Sequence, residues 1–227
     1  MEITFPGLQW LLNPPVLLFL AKGMGYSIML ALACGLISIP AGALLAAGRM
    51  SRTGLIRYPA TAYIELTRSL PQMLIIFSVY FASDALVGVS FSPTAAAIIA
   101  LSAFNSAVVA EILRAGLQSV ERQTLEAAQS QAFSARQVFL LIRLPLAWRR
   151  MTPALIAQFT SLLKATALTV VIGVPEFLDR AMIVTASPPY RAMPVYVLIA
   201  IMYFCVNFTI SLLGRRLERA ETGGMRP

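Results

Sequence analysis

Five apolar runs, each close to the length of a membrane crossing, constrain this chain more than any other feature. Hydrocarbon admits a backbone only when its N–H and C=O groups pair within the segment, and a helix of roughly 20 apolar residues does that across the bilayer core. The runs are Tyr26 to Ala47, Pro59 to Phe81 with Pro71 inside, Thr94 to about Arg114, Met151 to Val174 interrupted by Lys164, and Pro194 to Leu213. Composition agrees: the chain is 58% hydrophobic and 12% charged, where a soluble domain carries roughly twice that charge. The expected fold is an all-α integral membrane protein of about five transmembrane helices. Residues 1–227 read as one domain, since no hydrophilic block is large enough for a second.

Residues 1–25 read as an interfacial lead-in. Glu2 is acidic, no Lys or Arg comes early, and no small-residue cleavage site follows the apolar stretch, so a signal peptide is not indicated. Pro14 and Pro15 should break this segment, with Trp10 at headgroup depth. Cys34 and Cys205 fall within apolar runs and read as buried hydrophobes, not as a disulfide or metal pair. Histidine is absent, which removes the commonest proton shuttle and metal ligand.

Lys and Arg set the orientation. One side receives Arg49, Arg52, Arg57, Arg114, Arg122, Arg136, Arg143, Arg149, Arg150, Arg215, Arg216, Arg219 and Arg226, which is 13 of the 18 basic residues. The other receives Lys22, Arg180 and Arg191, while Arg68 and Lys164 lie within spans. The N-terminus is therefore expected outside and the C-terminus in the cytoplasm. This bias accounts for most of the +8 net charge, so nucleic acid is not needed as a partner; the lipid bilayer is.

The longest polar segment, 115–150, falls on the cytoplasmic side. Gln123 to Gln131 is rich in helix formers. Ser134 with Gln137 three residues on forms a capping box that should open a second helix. Pro145 should end it, because Leu144 before proline is pushed out of the helical region. The spacing predicts a helix-turn-helix on the membrane surface, and spacing alone also fits a hairpin that merely anchors the loop.

Glu126-Ala127-Ala128, three residues, Ala132, nine residues, then Ile142-x-Leu144-Pro145 resembles the cytoplasmic EAA signature of ABC importer permease subunits. Only Ala132 departs, standing where the signature has Gly; a left-handed alanine costs about 1 kcal/mol. Further segments resemble the polar amino-acid branch: Tyr63-Ile64-Glu65 with Arg68 and Pro71, Ala110-Glu111 with Arg114 and Gln118-Ser119-Val120, and Leu163-Lys164-Ala165-Thr166-Ala167-Leu168. The resemblance implies a type I importer permease fold whose hairpin couples to an ATPase. It implies a second permease subunit, identical or homologous, two ATP-binding subunits and an extracytoplasmic substrate-binding protein. It further implies location in a bacterial inner membrane. Because the chain has no G-x-x-x-x-G-K-[ST], it is not expected to hydrolyse ATP or bind a cofactor; ATP and Mg would sit on the partner.

Charges inside the spans need a partner or a wet cavity. Glu65 and Arg68 sit three apart and can neutralise each other, as can Glu111 and Arg114. Internal ion pairs that lock packing are the favoured reading of both pairs, with Glu65 and Arg68 also candidates for the substrate pathway. Lys164 has no acid within one turn, and Gly173 and Pro175 beyond it suggest a broken helix, where transporters place substrate sites. A lysine there suits a substrate carboxylate. By resemblance this segment belongs to an amino-acid site, with the family's Asp replaced by Ala165 and its Ser by Ala167. That departure favours an acidic or neutral polar amino acid, or else marks the non-binding half of an unequal pair. Thr166, Asn105, Gln158 and Gln72 are further pathway candidates, with helix–helix hydrogen bonding the alternative. A self-contained secondary transporter would need an ion-coupling acid, for which Glu65 is the candidate. An intramembrane enzyme lacks a Ser/His, paired-Asp or metal constellation, and a membrane anchor without a pathway would leave Lys164 dispensable.

Overall fold

The computed structural model describes residues 13–187 and 192–222. Trp10, Arg191 and Arg226, each assigned a place above, lie outside the described residues. The elements are α1 (Pro14–Arg49), α2 (Gly54–Ser69), α3 (Gln72–Val87), α4 (Pro93–Gln118), α5 (Arg122–Ser130), the single turn α6 (Ala135–Gln137), a π-helical segment Val138–Arg143, α7 (Leu144–Ala165), a 3-10 segment Thr166–Ile172, α8 (Phe177–Ala186) and α9 (Ala192–Thr222). The described residues contain helices and no strands. Four stretches among them are long and apolar enough to cross a membrane: Pro14–Arg49, Pro93–Gln118, Ala135–Ile172 and Ala192–Arg216; Gln72–Ala85 is a shorter apolar helix.

Two expectations about proline are corrected. Pro14 and Pro15 open α1 and do not separate a lead-in from it. The first turn of a helix has no use for their missing N–H, and the Asn13 carbonyl accepts from Val16 and Leu17 at 3.0 and 3.1 Å. At 36 residues, α1 is roughly 54 Å long. Conversely, Pro59 to Phe81 is not one span. Leu70, before Pro71, is extended at φ −89°, ψ 142°, so α2 stops and α3 starts anew.

The described residues within 1–35, 71–101 and 161–209 group into one compact unit, and those within 36–70, 102–160 and 210–227 into another. The core of the first is Leu20 and Met24 of α1, Phe177, Ala181 and Val184 of α8, and Val195 and Ile199 of α9. Phe177 meets Tyr203 edge-on, centroids 5.0 Å apart. The predicted break follows the 3-10 segment at Gly173, whose φ of +77° is a left-handed conformation that glycine adopts without Cβ strain. The core of the second unit is Ile64 packed among Ala46, Ala107 and Ala110, and a separate cluster of Val120, Ala147 and Met151. Gly42 lets α1 approach α4, since a Cβ there would lie 2.7 Å from Val109 Cγ1, the close-packing device of membrane helices.

Candidate functional site

The hairpin lies within the second unit. α5 begins one residue before the predicted start and ends at Ser130. Ala132 then turns the chain at φ +60°, the single non-glycine residue with positive φ among those described. The capping box is present in both directions: Gln137 N–H donates to Ser134 Oγ at 3.3 Å, and Ser134 N–H donates to Gln137 Oε1 at 2.9 Å. α5 packs against the π segment, and Ala128 and Val138 are the buried residues of the two arms.

Pro145 does not end the second arm. Leu144 is helical at φ −65°, ψ −46°, and the chain runs on through α7. The π-helical segment immediately ahead is the physical reason. A proline in a regular helix lacks an N–H and clashes with the carbonyl four residues back, and the wider i→i+5 pairing of residues 138–143 shifts that carbonyl. Arg143 Nε donates to the Leu117 carbonyl at 3.0 Å, tying this segment to the end of α4.

Of the signature residues, Ala128 faces into the hairpin, while Glu126, Ala127, Ala132 and Pro145 are exposed and Ile142 and Leu144 are half-buried. Glu126 accepts from Arg122 Nε at 2.6 Å. Phe133, Phe139, Leu140, Leu141 and Trp148 are also exposed. Their exposure within the predicted cytoplasmic segment is a feature that sequence reasoning passed over.

Elsewhere in the second unit, Glu65 does not pair with Arg68 as spacing suggested. Arg49, at the end of α1, reaches both carboxylates: Nη2 lies 3.1 Å from Glu65 and Nη1 3.2 Å from Glu111. Arg68 lies 3.5 Å from Glu111. The Glu111–Arg114 pair is present, at 2.9 and 3.1 Å. Local i,i+3 spacing could not reveal Arg49, which arrives from another helix. Gln158 Nε2 donates to Asn105 Oδ1 at 2.8 Å, so these two candidates occupy each other.

In the first unit, Lys164 is exposed in the last turn of α7 and belongs to none of the ion pairs among described residues. A cation there complements the helix dipole. Thr166 is fully buried and its hydroxyl donates to the Leu163 carbonyl at 2.8 Å, so it does not share Lys164's exposure. Gln72 is half-buried at the first position of α3. Sequence reasoning gave Glu176 no role. It is fully buried, accepts from Ser27 Oγ at 3.0 Å and from the Asp179 N–H at 2.9 Å, and so caps α8. Burial pushes its carboxyl up from the ordinary range, while those donors pull it down. An acid three residues before Asp179, just after Pro175, was the available capping signal.

These features define a polytopic helical membrane protein that presents a structured polar hairpin. Residues 38–222 match the family described as binding-protein-dependent transport system inner membrane component. A probable glutamine ABC transporter permease protein of Bacillus subtilis, GlnP, is 38% identical over 91% of this chain and 95% of its own. The glutamate transport system permease protein GluD of Corynebacterium glutamicum is 32% identical over 83% of this chain and 70% of its own. A crystal structure of an amino acid ABC transporter with histidines is 30% identical and superposes with a TM-score of 0.84, covering 89% of this chain and 94% of that one. The chain belongs to the binding-protein-dependent transport system inner membrane component family. It is a membrane permease component of an ABC importer and not its ATPase, and its family implies pairing with another permease and with ATPase subunits.

Proposed function

We propose that this permease forms half of the pathway of an amino-acid importer and that the Glu126–Pro145 hairpin is its contact with a cytoplasmic ATPase. The observation carrying this reading is the hairpin itself: a turn held at Ala132 φ +60° and locked by the Ser134–Gln137 capping box, with apolar side chains left facing outward. Glutamine and glutamate permeases among its relatives support an acidic or neutral polar substrate. Lys164, exposed in the first unit, suits the substrate carboxylate. ATP and Mg belong to the ATPase, an extracytoplasmic binding protein delivers the substrate, and the arginine-rich side faces the cytoplasm with the N-terminus outside.

One observation favours a second reading, the non-binding half of an unequal pair. Thr166, Asn105 and Gln158 spend polar groups on Leu163 or on each other, which leaves fewer groups for a substrate. The deciding experiment measures ATP hydrolysis by the assembled transporter with its binding protein against a panel of amino acids. Stimulation by glutamine or glutamate that survives in the partner's absence supports the first reading. Stimulation that requires a homologous partner and is unmoved by Lys164→Ala supports the second. Ion-driven uptake by this chain without any ATPase refutes both.

A further inference from the structure

We propose that a groove at the arginine-rich end of the second unit binds a phosphate-bearing anion. The groove holds about 470 Å³, and Arg68, Glu111, Arg114, Gly116, Ser119 and Arg150 are among its lining residues; that is the size of a small-molecule site. Its walls carry three guanidiniums against one carboxylate, an excess of two positive charges. That carboxylate is already fully engaged, because Arg49, Arg68 and Arg114 all approach Glu111 within 3.5 Å.

Arg114 and Arg150 are held in place, and the groove still has donors to spare. Arg114 is fixed by Glu111 on two nitrogens and by Gln118 at 2.6 Å on the third. Arg150 Nη1 donates to the Ser119 carbonyl. Among the described residues Arg68 makes a single 3.5 Å approach, to Glu111, and 46% of its side chain is exposed. Each guanidinium carries five N–H donors, so most of those on Arg68 and Arg150 remain for a ligand. A tetrahedral phosphate offers oxygens in several directions to several forks at once, and guanidinium forks match it bidentately. The source is either the headgroup of an anionic lipid, which basic pockets between membrane helices hold, or a soluble phosphate.

The test uses the assembled transporter in nanodiscs of zwitterionic phosphatidylcholine, with phosphatidylglycerol added in one arm and inorganic phosphate titrated in another. Native mass spectrometry counts retained lipid, and phosphorus NMR line broadening follows the ion. Binding should weaken by about tenfold or more in Arg68→Gln/Arg150→Gln and stay unchanged in Arg57→Gln, an exposed arginine of α2 outside the groove. Retention of phosphatidylglycerol alone assigns a lipid site, and binding of phosphate in phosphatidylcholine discs assigns a soluble anion; either supports the proposal. Failure of the unmodified transporter to bind either, equal retention of phosphatidylcholine, or equal binding by both variants overturns it. The unmodified arm stands whether or not the double variant folds.

Discussion

Replacing Ala132 with glycine should tighten the hairpin. The left-handed conformation at φ +60° costs an L-residue about 1–2 kcal/mol, which glycine does not incur. Glycine gives back about 0.4–1 kcal/mol through the greater freedom of the open chain. The balance is a gain of about 0.5–1 kcal/mol in the closed hairpin. Local opening governs amide exchange, so exchange at residues 131–138 should slow about two- to fivefold. Hydrogen exchange with mass spectrometry on the purified chain reads this directly. Ala132→Val works in the opposite sense, since a β-branched residue is a genuine outlier at positive φ, and should speed exchange. Ser134→Ala, which removes the capping box, should speed it by about fivefold for a loss of about 1 kcal/mol. Unchanged or faster exchange in Ala132→Gly would refute the strain argument, because no other local contact of that methyl is invoked.

Three further outcomes follow from the packing. Glu176→Ala strands Ser27 and the Asp179 N–H in the buried core of the first unit; thermal unfolding should show a loss of about 1–3 kcal/mol, with Glu176→Gln retaining most of the stability. Gln158→Leu leaves Asn105 without its partner and should cost about 1–3 kcal/mol, whereas pairing it with Asn105→Leu should recover much of that loss in a double-mutant cycle. Lys164→Ala should lower uptake in proteoliposomes while the complex assembles normally; full uptake would remove Lys164 from the pathway.

Four of the five spans were legible because lipid imposes one rule on every residue of a crossing helix, and long apolar runs record it; Pro59 to Phe81 was not one span. The turn at Ala132 and the cap at Ser134 were legible because both are decided within four residues. Pro71 and Pro145 show where local rules stop. Pro145 was read as a stop and Pro71 as lying inside a span, yet Leu70 before Pro71 is extended and Leu144 before Pro145 is helical, because a π segment ahead of Pro145 moves the clashing carbonyl. The ion pairs failed for a related reason. Spacing offered Arg68 to Glu65, but Arg49 comes from the end of α1, and only the folded arrangement brings it there. Asn105 and Gln158 were each visible as polar residues in a span, while their mutual hydrogen bond across 53 positions was not.

The central claim, that the hairpin couples this permease to an ATPase, is tested most directly by charge reversal at Glu126. It is exposed and held by Arg122 alone among described residues, so Glu126→Arg should spare folding and insertion. In proteoliposomes with the ATPase and binding protein, the variant should lose ATPase association and ATP-dependent uptake while inserting at unmodified levels. Normal copurification, with ATP hydrolysis still coupled to uptake, would contradict the account.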